Sequence, residues 1–187
     1  MRVLILGAGG IGGYFGGRAA ATGVDVSFLV RPARAALLQR DGLWIRSPLG
    51  DLHFNPAILT SATLGAELNT PFDLVVLSCK AYDLDDAIAT IAPAVSPGTA
   101  VLPLLNGLAH FPVLDQAFGV ERVLGGLAQI SVMLAADGAI DHLSPIQTLR
   151  FGERDGSLSE RCQRIERLLR PAGFDLHLST RIDQDLW

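Results

Sequence analysis

The chain has 187 residues, 49% of them hydrophobic and 18% charged, and its mean hydropathy is +0.36; these values suit one compact α/β domain with a sizeable core and leave no room for a second full one. A net charge of −4, with lysine and arginine scattered, lacks the basic footprint of a nucleic-acid binder. Cys79 and Cys162 form no metal or redox motif, no apolar run approaches the roughly 18 residues of a membrane helix, and no signal sequence precedes the first strand, so a soluble cytoplasmic protein without a metal is expected.

The run Val3-Leu4-Ile5-Leu6 predicts a strand, and Gly7-Ala8-Gly9-Gly10-Ile11-Gly12 follows it directly. A helix through Thr22, closed by Gly23, and a second strand over Asp25–Val30 complete a strand, turn, helix and strand unit. Pro32–Arg40 reads as a short helix stopped near Gly42, and Leu43–Asn55 as a hairpin around Ser47–Gly50. Pattern returns at Asp73. Leu74–Leu77 predicts a buried strand, Leu84–Ala92 a helix, Ala100–Leu105 the next strand and His110–Phe118 a further helix. Val123–Leu134, Ile140–Leu143 and Thr148–Phe151 read as an antiparallel edge turning at Ala136-Asp137-Gly138. Ser157 and Glu160 have capping-box spacing for a helix whose apolar face carries Leu158, Cys162, Ile165, Leu168 and Leu169. A strand over Asp175–Leu178 follows, and Thr180 with Asp183 offers a cap for a last helix through Ile182 and Leu186. That helix has a start signal and no stop signal, so the chain is expected to be a truncated one. The fold class expected is α/β, a Rossmann-type doubly wound, mostly parallel sheet with an antiparallel edge. Residues 1–178 form the nucleotide-binding domain, and 179–187 start a helix leading elsewhere.

In such a sheet a ligand lies outside the carboxyl ends of the strands. Gly7 allows a tight turn there, Gly9 lets the backbone approach a pyrophosphate, and Gly12 lets helix and strand pack closely, with Ala8, Gly10 and Ile11 completing the cradle. N–H groups at the helix start face the phosphates. Arg31 stands where an NAD site usually offers Asp or Glu to the ribose, so it fits a 2′-phosphate and NADP, with Arg34 close enough to assist. Lys80 can reach a cofactor phosphate or ribose, or a substrate carboxylate; as a surface lysine it needs no role. The Asn106 amide can donate and accept hydrogen bonds beside the same crevice, though Asn-Gly is also a common turn pair. His53, His110, His142 and His177 have no evident partner carboxylate and are read as structural or surface residues.

Gly7 to Gly12, then Leu29-Val30-Arg31, Cys79-Lys80-Ala81-Tyr82-Asp83 and Leu105-Asn106-Gly107-Leu108, in this order, resemble the N-terminal domain of the ketopantoate reductase family. Gly125-Gly126, Asp137-Gly138, His142 and Phe151-Gly152-Glu153 resemble the strand-rich end of that domain. The resemblance covers essentially the whole chain but only part of the family's length, which continues into an all-helical C-terminal domain that is absent here. It implies NADPH-dependent reduction of 2-dehydropantoate to pantoate in pantothenate and coenzyme A biosynthesis. Carried over, the Gly7–Gly12 turn holds pyrophosphate, Arg31 meets the 2′-phosphate, Lys80 contacts the cofactor, and Asn106 touches cofactor and substrate. The family's proton-donating lysine falls beyond Trp187, so no catalytic residue is assigned in this chain and turnover by it alone is not expected. Leu105, where relatives often have Gln, and Ala109-His110, where glycine is frequent, depart from the pattern. A sibling reductase of another 2-keto acid shares every motif named, and a stand-alone NADP-binding module without catalysis is the alternative of a different class. A small keto acid is the expected partner. A face left open by a missing half would favour self-association into a homo-oligomer.

Overall fold

A computed structural model describes all residues from Met1 to Trp187. In chain order, β1 (Arg2–Leu6), α1 (Gly10–Ala20), β2 (Asp25–Leu29) and α2 (Pro32–Asp41) lead into three short strands, β3 (Leu43–Arg46), β4 (Leu52–Phe54) and β5 (Ala57–Leu59). Next come α3 (Ser61–Glu67), β6 (Leu74–Leu77), α4 (Leu84–Ile91), β7 (Ala100–Pro103) and α5 (Phe111–Phe118). The last elements are β8 (Gly125–Leu134), β9 (Ile140–Gly152), α6 (Glu160–Leu169), β10 (Asp175–Leu178) and the single turn α7 (Ile182–Asp185).

Five parallel strands in the order β5-β2-β1-β6-β7 form the first sheet. Alternate side chains of β1 enter different cores: Val3 and Ile5 pack toward α1, while Leu4 packs with α4 and α5. That two-sided burial is why the strand reads as an unbroken apolar run. The strand order reverses at β1, which puts a ligand crevice at the carboxyl ends of β1 and its neighbours.

The antiparallel strands expected at an edge do leave from that edge, through a parallel bridge of Val123 to Val101. They then build a second, mixed sheet in the order β10-β9-β3-β4, with β8 paired along the other side of β9. This sheet covers the outer side of α1. The helix is therefore held between two sheets, and its glycines mark both contacts. A Cβ at Gly16 would lie 2.4 Å from Ile5 Cδ1 and 2.9 Å from the Phe28 ring on the first sheet. On the other side, a Cβ at Gly17 would lie 2.8 Å from Ile45 of β3.

Several local expectations are corrected. β5 and α3 occupy a stretch that carries no clear pattern; β5 is held by pairing with β2, and the first turn of α3 by the Thr63 hydroxyl accepting from Thr60 N at 2.9 Å. The two strands expected over 140–151 are one strand, whose irregularity appears as a register shift opposite Ile130 and Val132. Ser159 rather than Ser157 caps α6, accepting from Cys162 N at 3.2 Å, and Leu158 is exposed instead of buried. Thr180 caps nothing: Arg181 stands at the N-cap of α7, and the Ser179 hydroxyl accepts from Arg181 N and donates to Asp185.

Ser159 is chosen because its hydroxyl also donates to the buried Glu153 carboxylate at 2.6 Å, beside a bidentate Arg161 fork with both contacts at 2.6 Å. Burial pushes the Glu153 carboxyl up, but Arg161 and Ser159 together outweigh it and hold the carboxyl below its ordinary value. Burial also pushes the neighbouring Cys162 thiol up to about 11, so it stays protonated.

Gly16→Ala should lower stability by about 1 to 2 kcal/mol, because overpacking outweighs the gain in helix propensity. Gly65→Ala in α3, whose Cβ would meet nothing within 4 Å, should raise it by about 0.5 to 1 kcal/mol; urea midpoints of the two variants should move in opposite directions. For Glu153, a carboxyl depressed in the fold contributes stability that is fully present above its unfolded value of about 4.3 and lost as pH falls through the lower folded value. Glu153→Gln should therefore cost about 1.5 to 3 kcal/mol at pH 7, and the difference from the parent should shrink in urea titrations at pH 3.

Candidate cofactor site

The chain leaves β1 through Gly7, whose φ of +89° is open to glycine at little cost. Its N–H donates to Leu29 O at 2.8 Å, tying the turn to the end of β2. Gly9 is the N-cap of α1, in an extended conformation with φ −88° and ψ −164°. The first helical bond runs from Gly13 N to Gly9 O at 2.8 Å, so the N–H groups of Gly10, Ile11 and Gly12 have no acceptor within the protein. A Cβ added at Gly9 would meet no protein atom within 4 Å, whereas one at Gly12 would lie 2.9 Å from Gly7 O and 2.4 Å from Ser78 Oγ. The two glycines thus have different duties. Gly12 brings the helix onto the strand, and Gly9 keeps the approach to the free N–H groups clear, which is the cradle a pyrophosphate requires.

Arg31 is the N-cap residue of α2, and its side chain is 80% exposed. Arg34, one turn further, reaches back to the glycine turn and donates to Ala8 O from Nε at 3.2 Å and Nη2 at 2.9 Å. Its guanidinium is half-buried without a carboxylate partner, and burial lowers its pKa. Lys80, the only lysine in the chain, is exposed just beyond β6, and its carbonyl accepts from Asp83 N at 2.9 Å. That turn brings Asp83 within 3.6 Å of Arg31, a contact the sequence reading missed because nothing local links the two residues. Asn106 is exposed beyond β7 on the same edge and makes no hydrogen bond to the other candidates. Arg34 thus touches the glycine turn and Arg31 touches the Lys80–Asp83 turn, both from the first turn of α2, while Asn106 shares only their sheet edge.

The histidines lie elsewhere in role. His142 sits between Ser47 Oγ at 2.8 Å and Ile146 O at 3.0 Å, joining β3 to the irregular part of β9. His53 stacks on Trp44 with ring centroids 3.8 Å apart. His177 does have a carboxylate partner, Asp175 at 2.8 Å, on the same exposed strand face. His110 is buried against Phe111, and burial, aided by the Arg154 charge, lowers its pKa. No three His, Cys, Asp or Glu side chains gather as a metal site, and no helix is long and apolar enough to cross a membrane.

A glycine cradle at the switch point of a parallel sheet defines a dinucleotide-type α/β domain. The chain belongs to the ketopantoate reductase family, whose model, described as ketopantoate reductase PanE/ApbA, matches residues 3–156. It is 37% identical over its whole length to an uncharacterized oxidoreductase, YkpB, of Bacillus subtilis, covering 60% of that protein. It is 28% identical to the 2-dehydropantoate 2-reductase of Mesorhizobium japonicum, again over all of this chain and 62% of the relative. Among solved structures, the 2-dehydropantoate 2-reductase of Methylococcus capsulatus superposes with a TM-score of 0.86 at 31% identity, over all of this chain and 59% of that one. The chain thus spans about 60% of the length of the curated relatives it matches.

Gly9→Val offers a direct check of the cradle. The extended backbone at Gly9 suits a β-branched residue and the space there is open, so the variant should fold and lose dinucleotide binding by at least about tenfold. A variant with native circular dichroism that binds NADPH as tightly as the parent would place the cofactor elsewhere.

Proposed function

We propose that this chain is the cofactor-binding part of an NADPH-dependent 2-dehydropantoate 2-reductase, with residues 1–178 as the nucleotide-binding domain and 179–187 as the start of the connection to a substrate-closing part. The observation that carries the reading is the cradle of Gly7, Gly9 and Gly12 at the mouth of α1, with three free N–H donors, in a chain of this family. When bound, the nicotinamide supplies hydride to the C2 keto carbon. The chain's own residues hold and orient: Gly7–Gly12 with Ala8, Gly10 and Ile11 take the pyrophosphate, and Arg31, assisted by Arg34, takes the 2′-phosphate. Lys80 contacts the cofactor at the crevice, and the Asn106 amide meets cofactor and keto acid where the β7 loop opens. The family resemblance implies that the proton donor and the residues that fix the keto acid lie outside these 187 residues. A cytoplasmic setting suits both the reduced cofactor and the free thiols of Cys79 and Cys162.

A sibling reductase of another 2-keto acid is the second reading. It is favoured by the relative named only as an oxidoreductase and by Leu105 and Ala109-His110, which depart from the family's pattern on either side of Asn106-Gly107-Leu108.

Arg31→Ala should weaken NADPH by about 1 to 2 kcal/mol, the charged hydrogen-bond range trimmed for an exposed side chain, and leave NADH nearly unchanged. Equal weakening in calorimetric titrations would remove the 2′-phosphate assignment. Purified 187-residue chain mixed with NADPH and 2-dehydropantoate should bind the cofactor and leave its absorbance steady. A positioned acid contributes about 10² to 10⁴ in rate, and orientation of both reactants contributes more. Sustained keto-acid-dependent oxidation at an enzyme-like rate would put the proton donor within these 187 residues.

A further inference from the structure

The side chain of Asp83 stands at the N-cap of α4 yet makes no capping hydrogen bond. The turn closed by Asp83 N and Lys80 O instead carries its carboxylate to Arg31, the only cation within 4.0 Å of it, with Oδ1 3.6 Å from Nη2. Arg31 has no other carboxylate partner, and at this distance the pair is an ion pair without a hydrogen bond, on a side chain that is four-fifths exposed. Arg34 differs: it is anchored by the neutral Ala8 carbonyl and keeps its full charge. An anion arriving at the first turn of α2 therefore meets one uncompensated arginine and one that is already partly neutralised.

We propose that Asp83 is a specificity-determining residue, whose carboxylate competes with the cofactor's 2′-phosphate for Arg31 and narrows the preference for NADPH over NADH. The inference rests on the proposed binding of the adenosine ribose at the end of β2. A phosphate monoester carries a charge of about −1.5 to −2 at pH 7. On taking the Arg31 fork it lies beside the Asp83 carboxylate and must share the Arg31 charge with it. A free 2′-hydroxyl, as in NADH, carries no charge to repel and can donate to the same oxygen.

Calorimetric titration of NADPH and NADH into the parent, Asp83→Asn, Arg31→Ala and the double variant tests this. Asp83→Asn should tighten NADPH by about three- to tenfold and leave NADH unchanged or slightly weaker. Most of that gain should vanish in the Arg31→Ala background, and Asp83→Glu should keep the parent's ratio. A purely structural role for Asp83 would move both cofactors together. Because the carboxylate makes no cap bond, Asn should be tolerated; Asp83→Ser, with circular dichroism, serves if it is not. An unchanged NADPH to NADH ratio in folded Asp83→Asn or Asp83→Ser, which lack the carboxylate, while Arg31→Ala still weakens NADPH selectively, overturns this inference and leaves the site reading intact. Failure of the parent to bind either dinucleotide overturns both.

Discussion

The whole structure turns on how closely α1 approaches its two sheets. A helix with ordinary side chains keeps neighbours about 10 Å from its axis, and here side chains of Ile5 and Phe28 on one sheet and Ile45 on the other reach to where a Cβ would stand. Glycine in a helix costs about 1 kcal/mol each in propensity. The offset comes from dispersion and burial against both sheets, in a core where Tyr14, Phe28 and Ile45 are almost wholly enclosed.

That close seating also explains the site. Packing at Gly12 brings the start of α1 against Gly7 O and Ser78, so the helix begins hard against the end of β1 with its first N–H groups directed out of the sheet edge. Val132 of β8 closes the other side, 3.0 Å from where a Gly10 Cβ would stand. The second sheet is thus part of the wall that fixes the glycine turn. Arg34 adds a polar tie from α2 to Ala8 O, with Nη1 2.9 Å from a Cβ position at Gly138 in the turn between β8 and β9. Helix, turn and both sheets therefore hold the donors before any ligand arrives, which removes part of the ordering cost of binding.

The glycine turn was legible in the sequence because its demands are local: positive φ at Gly7, open space at Gly9 and close contact at Gly12. Continuous apolar runs such as Leu74–Leu77 were legible for a similar reason, since burial on both faces leaves no polar positions. What escaped depends on partners distant along the chain. β5 has three residues and exists through its ladder to β2. The capping serine of α6 cannot be told from spacing, as Ser157 and Ser159 both precede the helix; Glu153 and Arg161 decide between them. Arg31 was visible as a cation after a strand, but Asp83 was not visible as its counter-charge.

Two kinds of polar group therefore meet at one edge of the sheet, with different tolerance to change. The glycine turn offers backbone donors, and its demands are steric, so a side chain at Gly9 or Gly12 would change the space in front of those donors or between helix and strand. At the end of β2 the groups available to a ligand are side chains, the exposed Arg31 and the half-buried Asp83, which make no hydrogen bond to each other. A fold of this kind can keep its grip on a dinucleotide constant while the choice between its phosphorylated and unphosphorylated forms drifts with one or two exposed charges. Fold and cofactor choice are therefore separable physical questions, one answered by backbone packing and the other by a few side-chain charges.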